Sequence, residues 1–189
     1  MFNPIGKLFA QETVYKNTLI YSQRDGLSSP NIHKIIQDKY KFIWIATQDG
    51  LNRFDGYEFI KYNLGLLAGK QLYSADVRDI VLDESGNLIW VINNNGGVNG
   101  IDLLTGKTVF SIPYNTELAQ TKWRICATAL QNKIFIATSN GLEVFDCAKK
   151  TFLKIAALQN SDLLANADIR WIDNDPAGNL IVAVLTTLT

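Results

Sequence analysis

A repeat of about 46 residues dominates this 189-residue sequence. Segments 75–89 and 167–181 share nine of fifteen residues at a constant offset of 92, and segments 43–55 and 134–146 share eight of thirteen at an offset of 91. Each offset spans two units, because Trp44, Trp90 and Phe135 stand 46 and 45 residues apart. A period of this length is typical of β-propeller blades and not of short helical repeats.

Each repeat unit predicts four short strands. In the first unit the strands are predicted over 32–37, 42–47, 51–54 and 57–62. They are rich in β-branched and aromatic residues, the turns between them carry Asp-Gly and Gly-Asn pairs, and all four prolines fall in connections. The sequence therefore predicts an all-β fold, an incomplete β-propeller of about three and a half four-stranded blades without a long helix.

The repeat boundaries divide the chain into a leader and a repeat array. Residues 1–13 are predicted to be either a disordered leader or a signal-peptide remnant, because Ala10 resembles the small residue of a cleavage site while the basic region and the long apolar core are missing. The predicted partial propeller covers 14–189. Its predicted parts are an outer closing strand at 14–22 and blades at approximately 32–63, 77–114, 123–156 and 169–189. The fourth unit stops after two predicted strands, so we expect an open arc whose exposed strand edge favours self-association.

Two sets of recurring residues predict structural roles. Trp44, Trp90 and Phe135 occupy the most apolar strand of each unit and are expected to pack between neighbouring blades. The second set is the carboxylates of the first turn in three units, which we expect to accept hydrogen bonds within those turns: Asp38, Asp83 and Asp175.

Several classes of function receive no support from the composition. Lys and Arg balance Asp and Glu at 18 each, so the basic excess typical of a nucleic-acid binder is missing. His33 is the only histidine, and Cys126 and Cys147 are interpreted as buried or half-buried thiols, with a disulfide left open. We therefore predict no catalytic residues, no metal site, no cofactor and no membrane-spanning segment in this chain.

One recurring set of residues predicts a ligand site. His33, Arg78, Arg124 and Arg170 recur at spacings of 45, 46 and 46 at the start of the first strand of each unit, nearest the propeller axis. A ring of guanidinium groups suits carboxylates, sulfates or the hydroxyls of acidic sugars. Two alternatives stay open. The basic residues pair with acidic neighbours such as Asp76 and Asp168, or the polar surface lies instead at the turns between the second and third strands (Gln48, Asp49, Asn94, Asn95, Ser139 and Asn140).

Several segments of the first unit resemble the two-component regulator propeller repeat. The resemblance rests on 25–29 (DGLSS), 36–38 (IQD), 42–47 (FIWIAT) and 49–57 (DGLNRFDGY), and it weakens in the later units. It implies the periplasmic sensor of a bacterial hybrid two-component receptor whose ligands are oligosaccharides. It also implies further propeller and β-domains, a homodimer, and a membrane helix followed by a histidine kinase in the parent protein.

The leading functional hypothesis is therefore a non-enzymatic extracytoplasmic sensor segment. A free-standing propeller enzyme, a glycan hydrolase or lyase, is the first alternative, and a protein-interaction scaffold is the second. Carboxylates or a His–carboxylate pair converging on the channel favour the enzyme, whereas an uncharged channel mouth and a large exposed apolar patch favour the scaffold.

Overall fold

A computed structural model describes residues 18–62, 72, 74–83, 85–94, 97–112, 124–130, 132–138, 141–149, 151–153, 164 and 167–185. Within these ranges fourteen strands, β1 to β14, carry most of the regular structure, and Gln23–Asp25 forms a 3-10 helix. The predicted leader at 1–13 lies outside the described residues.

The strands form four antiparallel sheets, each built from strands that are consecutive in the chain. The first blade contains β1 (Ile32–Gln37), β2 (Ile43–Thr47), β3 (Gly50–Phe54) and β4 (Phe59–Tyr62). The second contains β5 (Val77–Asp83), β6 (Leu88–Asn93), β7 (Val98–Asp102) and β8 (Thr108–Ile112). The third contains β9 (Arg124–Leu130), β10 (Lys133–Thr138), β11 (Gly141–Asp146) and β12 (Thr151–Leu153), and the fourth contains β13 (Asp168–Asn174) and β14 (Leu180–Leu185).

The first strands of the four blades lie together. β1 contacts β5, β5 contacts β9, and β9 contacts β13, so these inner strands surround a common axis while the later strands lie outward. The prediction of an all-β fold, an incomplete β-propeller of four-stranded blades, is confirmed.

Hairpin chemistry sets where the second and third strands begin and end. Thr47 pairs with Gly50 across a two-residue turn, and Thr138 pairs with Gly141 in the same way. Both glycines have positive φ, 131° and 107°, a region that disfavours residues with a Cβ. The Thr47 hydroxyl donates to the Gly50 carbonyl at 2.7 Å and closes the turn. This local code repeats in two blades and keeps their registers equal.

Apolar clusters fill the junctions between blades. Trp44 joins the first blade to Ile89 and Ile101 of the second, Trp90 packs with Ile136 of the third, and Phe135 packs with the fourth. Trp44 and Trp90 are fully buried. The prediction that these aromatic residues pack between blades is confirmed. Each sheet thus buries its face against the next blade, which is how a stack of blades makes one core.

The segment before β1 differs from the predicted closing strand. Residues 18–22 form no strand, and residues 14–17 of the predicted strand lie outside the described residues. Tyr21 instead packs edge-on against Phe54 and Phe59 of the first blade, with ring centroids 4.8 and 5.7 Å away. Ser22 then caps the 3-10 helix through a reciprocal pair of hydrogen bonds with Asp25. Ring packing and capping hold this segment where strand pairing was expected.

Candidate ligand-binding site

A cavity of about 780 Å³ lies between the inner strands. Residues of β1, β5, β9 and β13 line it together. Its charged and aromatic lining residues are His33, Lys34, Arg78, Asp79, Arg170, Trp171 and Asp173. The volume is within the range of small-molecule sites. Three of the four predicted site residues, His33, Arg78 and Arg170, therefore face one space.

A β-bulge presents each of these three residues. His33, Arg78 and Arg170 are the extra residues where β1, β5 and β13 step out of register with their partner strands. A bulge bends the strand and redirects the extra residue. In β9 the extra residue is Ile125, because Arg124 pairs directly with Thr138. The pairing therefore breaks the sequence equivalence of Arg124 with the other three residues, and the Arg124 side chain lies outside what the structure describes.

Acidic groups compensate most of the lining cations. Lys34 Nζ lies 2.7 Å from Asp79 Oδ1, on a carboxylate that is nearly buried. Arg170 Nη2 lies 2.6 Å from Asp168 Oδ2, which is the pairing that one alternative predicted. Arg78 is exposed and has no acidic partner within 4.0 Å among the described residues. It is the uncompensated cation of the described lining.

His33 bridges the first and second blades. Its Nδ1 lies 2.7 Å from the Val77 carbonyl oxygen, which only accepts, so this nitrogen carries the proton. Asp76 Oδ1 lies 3.6 Å from the same nitrogen. This is a His–carboxylate pair beside the channel, the feature named above as favouring an enzyme, although the separation exceeds hydrogen-bond length. The contact of Nδ1 with the Val77 carbonyl orients the ring against the backbone of the second blade.

The second predicted polar surface lies at the same end of the molecule as the basic residues. The Gln48 amide donates to the Asn31 carbonyl just before β1, and the Asn94 amide donates to the Asp76 carbonyl just before β5. The turns between second and third strands therefore border the starts of the inner strands. The two predicted surfaces adjoin each other, while Asn95, Ser139 and Asn140 lie outside the described residues.

Sequence reasoning missed Trp171. This residue lines the cavity with 47% of its surface exposed. At the repeat offset of 92 it replaces Asp79, the partner of Lys34 in the second blade. A large aromatic residue at an inner-strand position that holds a carboxylate in another unit was a usable signal, because it departs from the repeat.

The predicted turn carboxylates hold their own turns. Asp38 accepts from the Tyr40 and Phe42 amides and, through Oδ2, from Trp44 Nε1 at 2.7 Å. Asp83 accepts from the Gly86 amide, and Asp175 accepts from the Asn179 amide. The turn interpretation is confirmed.

Hydrogen bonds also shift the pKa values of several turn carboxyls. The Asn179 side chain and backbone hold the pKa of Asp175 below its usual range, and the Thr105 amide does the same for Asp102. Both carboxylates therefore remain ionised under mildly acidic conditions. These groups lie in turns, and their ionisation serves the turns' hydrogen bonds.

The described cysteine has the chemistry of a structural residue. Burial, followed by the negative charges of Asp83 and Asp146, raises the pKa of the Cys147 thiol to about 12. Cys147 is not in a disulfide, and the Cys126 side chain lies outside the described residues. A thiol with this pKa is protonated at neutral pH and is a poor nucleophile or metal ligand.

Two further features of the described ranges concern metals and membranes. The described residues contain no group of three or more His, Cys, Asp or Glu side chains placed to share a metal ion. No helix in the same part of the chain is long and apolar enough to cross a bilayer.

Comparison with known proteins places these observations in a family context. Residues 26–49 match the family described as two component regulator propeller. A curated protein named histidine kinase P4, from Formosa agariphila, is 50% identical over 38 residues, which are 20% of this chain and 3% of that protein.

Solved structures extend the likeness to the whole fold. The extracellular domain assigned to a hybrid two component system of B. thetaiotaomicron aligns with a TM-score of 0.62 and 21% identity, over 88% of this chain and 29% of that chain. A second such domain from the same organism aligns with a TM-score of 0.65 and 20% identity, over 84% of this chain and 22% of that chain. The chain thus spans less than a third of each of these proteins. The predicted resemblance is confirmed: residues 26–49 match the two component regulator propeller family, and they lie within an incomplete β-propeller.

Proposed function

We propose that this chain is part of the periplasmic ligand-sensing propeller of a bacterial two-component receptor, and that the ligands are oligosaccharides derived from glycans. The observation that carries the proposal is the family match at 26–49. These residues include β1 and β2 of the first blade, and β1 forms one wall of the cavity. The segment that resembles known sensors therefore also borders the candidate site.

The proposed role is binding without catalysis. His33, Arg78, Arg124 and Arg170 are proposed to contact ligand at the mouth of the cavity, and a change in blade packing on binding would pass to the rest of the receptor ectodomain. The parent protein would supply the membrane helix, the histidine kinase and the homodimer. The solved relatives support this arrangement because they are extracellular domains assigned to signalling systems.

Signalling by the parent protein tests the proposal. We expect the full gene to encode a membrane helix and a histidine kinase, and the full receptor in membrane vesicles to change its autophosphorylation rate when oligosaccharides from digested glycans are added. A gene that encodes no signalling domain, or a receptor that ignores every glycan digest, would overturn it.

The enzyme alternative is tested on the purified chain, because His33 and Asp76 approach to 3.6 Å beside the channel. We expect no release of reducing ends from neutral or acidic oligosaccharides and no unsaturated uronate product by ultraviolet absorbance. Turnover that disappears in His33→Gln would assign a hydrolase or lyase instead of a sensor.

A further inference from the structure

We propose that the cavity between the inner strands binds a sugar that carries a carboxylate or sulfate group, with Arg78 pairing the anionic group and Trp171 packing against the sugar ring. This inference rests on the proposed sensing function and narrows its ligand class. It concerns side chains on β5 of the second blade and β13 of the fourth blade, which line the same cavity.

Arg78 is selected by charge compensation. Lys34 is paired with Asp79 at 2.7 Å, and Arg170 is paired with Asp168 at 2.6 Å. Within the described residues Arg78 has no such partner, and its bulge directs it out of the sheet. A guanidinium group binds a carboxylate or sulfate through two parallel hydrogen bonds, so a free arginine beside a cavity suits that group.

Trp171 supplies an apolar surface beside that charge. Trp171 is 47% exposed and lines the cavity, whereas its repeat counterpart Asp79 is buried and paired with Lys34. Ile32, 43% exposed, also lines the cavity. One face of a pyranose ring consists of C–H groups, and a flat aromatic ring covers such a face with little loss of side-chain freedom. Charge and apolar surface together match an acidic sugar better than a free anion.

Polarity along the cavity sets the orientation of the ligand. The basic residues lie where the inner strands begin, whereas Asp173 lies three residues beyond Arg170 on β13, a distance of roughly 10 Å along a strand. An acidic sugar bound with its anionic group near Asp173 would be repelled. The anionic group is therefore expected at the mouth, with uncharged sugar units extending inward over Trp171.

Calorimetric titration of the purified 189-residue chain with three probes tests the proposal. The probes are a trisaccharide of one terminal galacturonate unit and two neutral galactose units, a galactotriose with one sulfate group on its terminal unit, and neutral galactotriose. We expect at least one acidic probe to bind roughly tenfold or more tightly than galactotriose, and its affinity to fall when NaCl rises from about 0.05 M to about 0.5 M. Equal affinity for all three probes, or binding of none of them at millimolar concentration, would overturn the proposal.

Two variants separate the roles of charge and ring. Arg78→Gln is expected to remove the preference for the acidic probe and leave galactotriose binding unchanged. Trp171→Ala is expected to weaken all bound probes by a similar factor. The matched controls are Arg24→Gln and Tyr57→Ala, which make comparable changes at exposed residues outside the cavity lining and are expected to bind as the unaltered chain does. An acidic probe that binds Arg78→Gln as tightly as the unaltered chain contradicts the assignment.

Failure of this inference and failure of the sensing function give different results. Direct binding to the purified chain does not require a kinase. Acidic-sugar binding by a protein whose gene encodes no signalling domain would therefore support the proposed acidic-sugar site and contradict the proposed sensing function. A receptor that signals only in response to neutral oligosaccharides, with no preference for the acidic probes in calorimetry, would support the sensing function and contradict the acidic-sugar site.

Discussion

The second and fourth blades have closely similar sequences and very different burial. Their aligned segments share nine of fifteen residues, including Ile89 and Ile181. Every residue of β6 is buried, whereas β14 is mostly exposed. Ile89 is fully buried and Ile181 is 46% exposed. β6 lies between β5 and β7 and contributes to clusters shared with both neighbouring blades, whereas β14 pairs only with β13 within the described residues. Burial in this array therefore depends on the neighbouring blades, because the aligned segments of the two blades are similar in sequence.

The largest expected effect comes from placing the same charge at these equivalent isoleucines. Ile89→Lys introduces an unpaired charge into a closed junction and is expected to lower the free energy of unfolding by about 4 kcal/mol or more. Ile181→Lys is expected to cost less than about 1 kcal/mol, because its side chain reaches water. Urea unfolding followed by tryptophan fluorescence measures both.

Self-association of the chain is a second property that the same pair of variants tests. β14 leaves an apolar strand with 54% of Leu185 and 40% of Val184 exposed, and such an edge favours pairing with another chain. Light scattering at increasing concentration is expected to show association of the unaltered chain and weaker association of Ile181→Lys. A chain that stays monomeric, and in which the two substitutions lower the free energy of unfolding equally, would show that the fourth blade is covered in solution. The difference in burial between the two blades would then be contradicted.

Much of the fold was predictable because its signals are local. The strand predicted at 32–37 is β1 itself. The strand predicted at 57–62 begins two residues too early, because the Tyr57 and Glu58 amides donate to the Asp55 carboxylate and belong to the turn before β4. The fourth blade shows the limit of this code. Its first turn resembles that of the second blade in sequence, and at the offset of 92 Asn174 and Leu180 correspond to Leu82 and Leu88. Asn174 pairs with Leu180, whereas Leu82 pairs with Ile89, so the strand pairing of the two blades differs by one residue.

The candidate site was less predictable, because its decisive contacts join different blades. The sequence placed His33, Arg78 and Arg170 at equivalent positions, and they do line one cavity. Which cations are compensated depends on contacts such as Lys34 with Asp79, between β1 and β5. The one-residue displacement of the bulge in β9 depends on strand pairing, which residue spacing does not encode.

A smaller effect compares two interior junctions. Trp44 Nε1 donates to the buried Asp38 carboxylate at 2.7 Å, whereas Trp90 Nε1 is buried without a hydrogen-bond partner among the described residues. Trp44→Phe and Trp90→Phe both remove ring volume, but only Trp44→Phe leaves a buried acceptor, the Asp38 carboxylate, without its hydrogen bond from the indole. We expect Trp44→Phe to cost about 1–3 kcal/mol more in urea unfolding. Phe135 fills the equivalent position in the third blade, so the phenyl ring itself is compatible with a blade junction. Equal costs would show that water or another group satisfies Asp38.

The smallest expected effect concerns the turns, which should behave alike in both blades because their hydrogen bonds are local. The folded-state pKa of Asp102 in the second blade and of Asp175 in the fourth is lowered, by Thr105 and Asn179 respectively. A carboxyl whose pKa is lower in the folded than in the unfolded chain contributes stability above the unfolded pKa, near pH 4, and that contribution disappears as the pH falls through the folded value. The unaltered chain is therefore expected to lose stability on acidification below about pH 4.

Asp102→Asn and Asp175→Asn should each reduce that loss, while Asp49→Asn, at an exposed carboxyl with no hydrogen-bond partner among the described residues, leaves it unchanged. Urea unfolding at neutral and acidic pH measures the difference. A response from Asp102→Asn without one from Asp175→Asn would mean that the fourth blade is unfolded in solution, and that its turn, like its burial, needs a neighbouring blade.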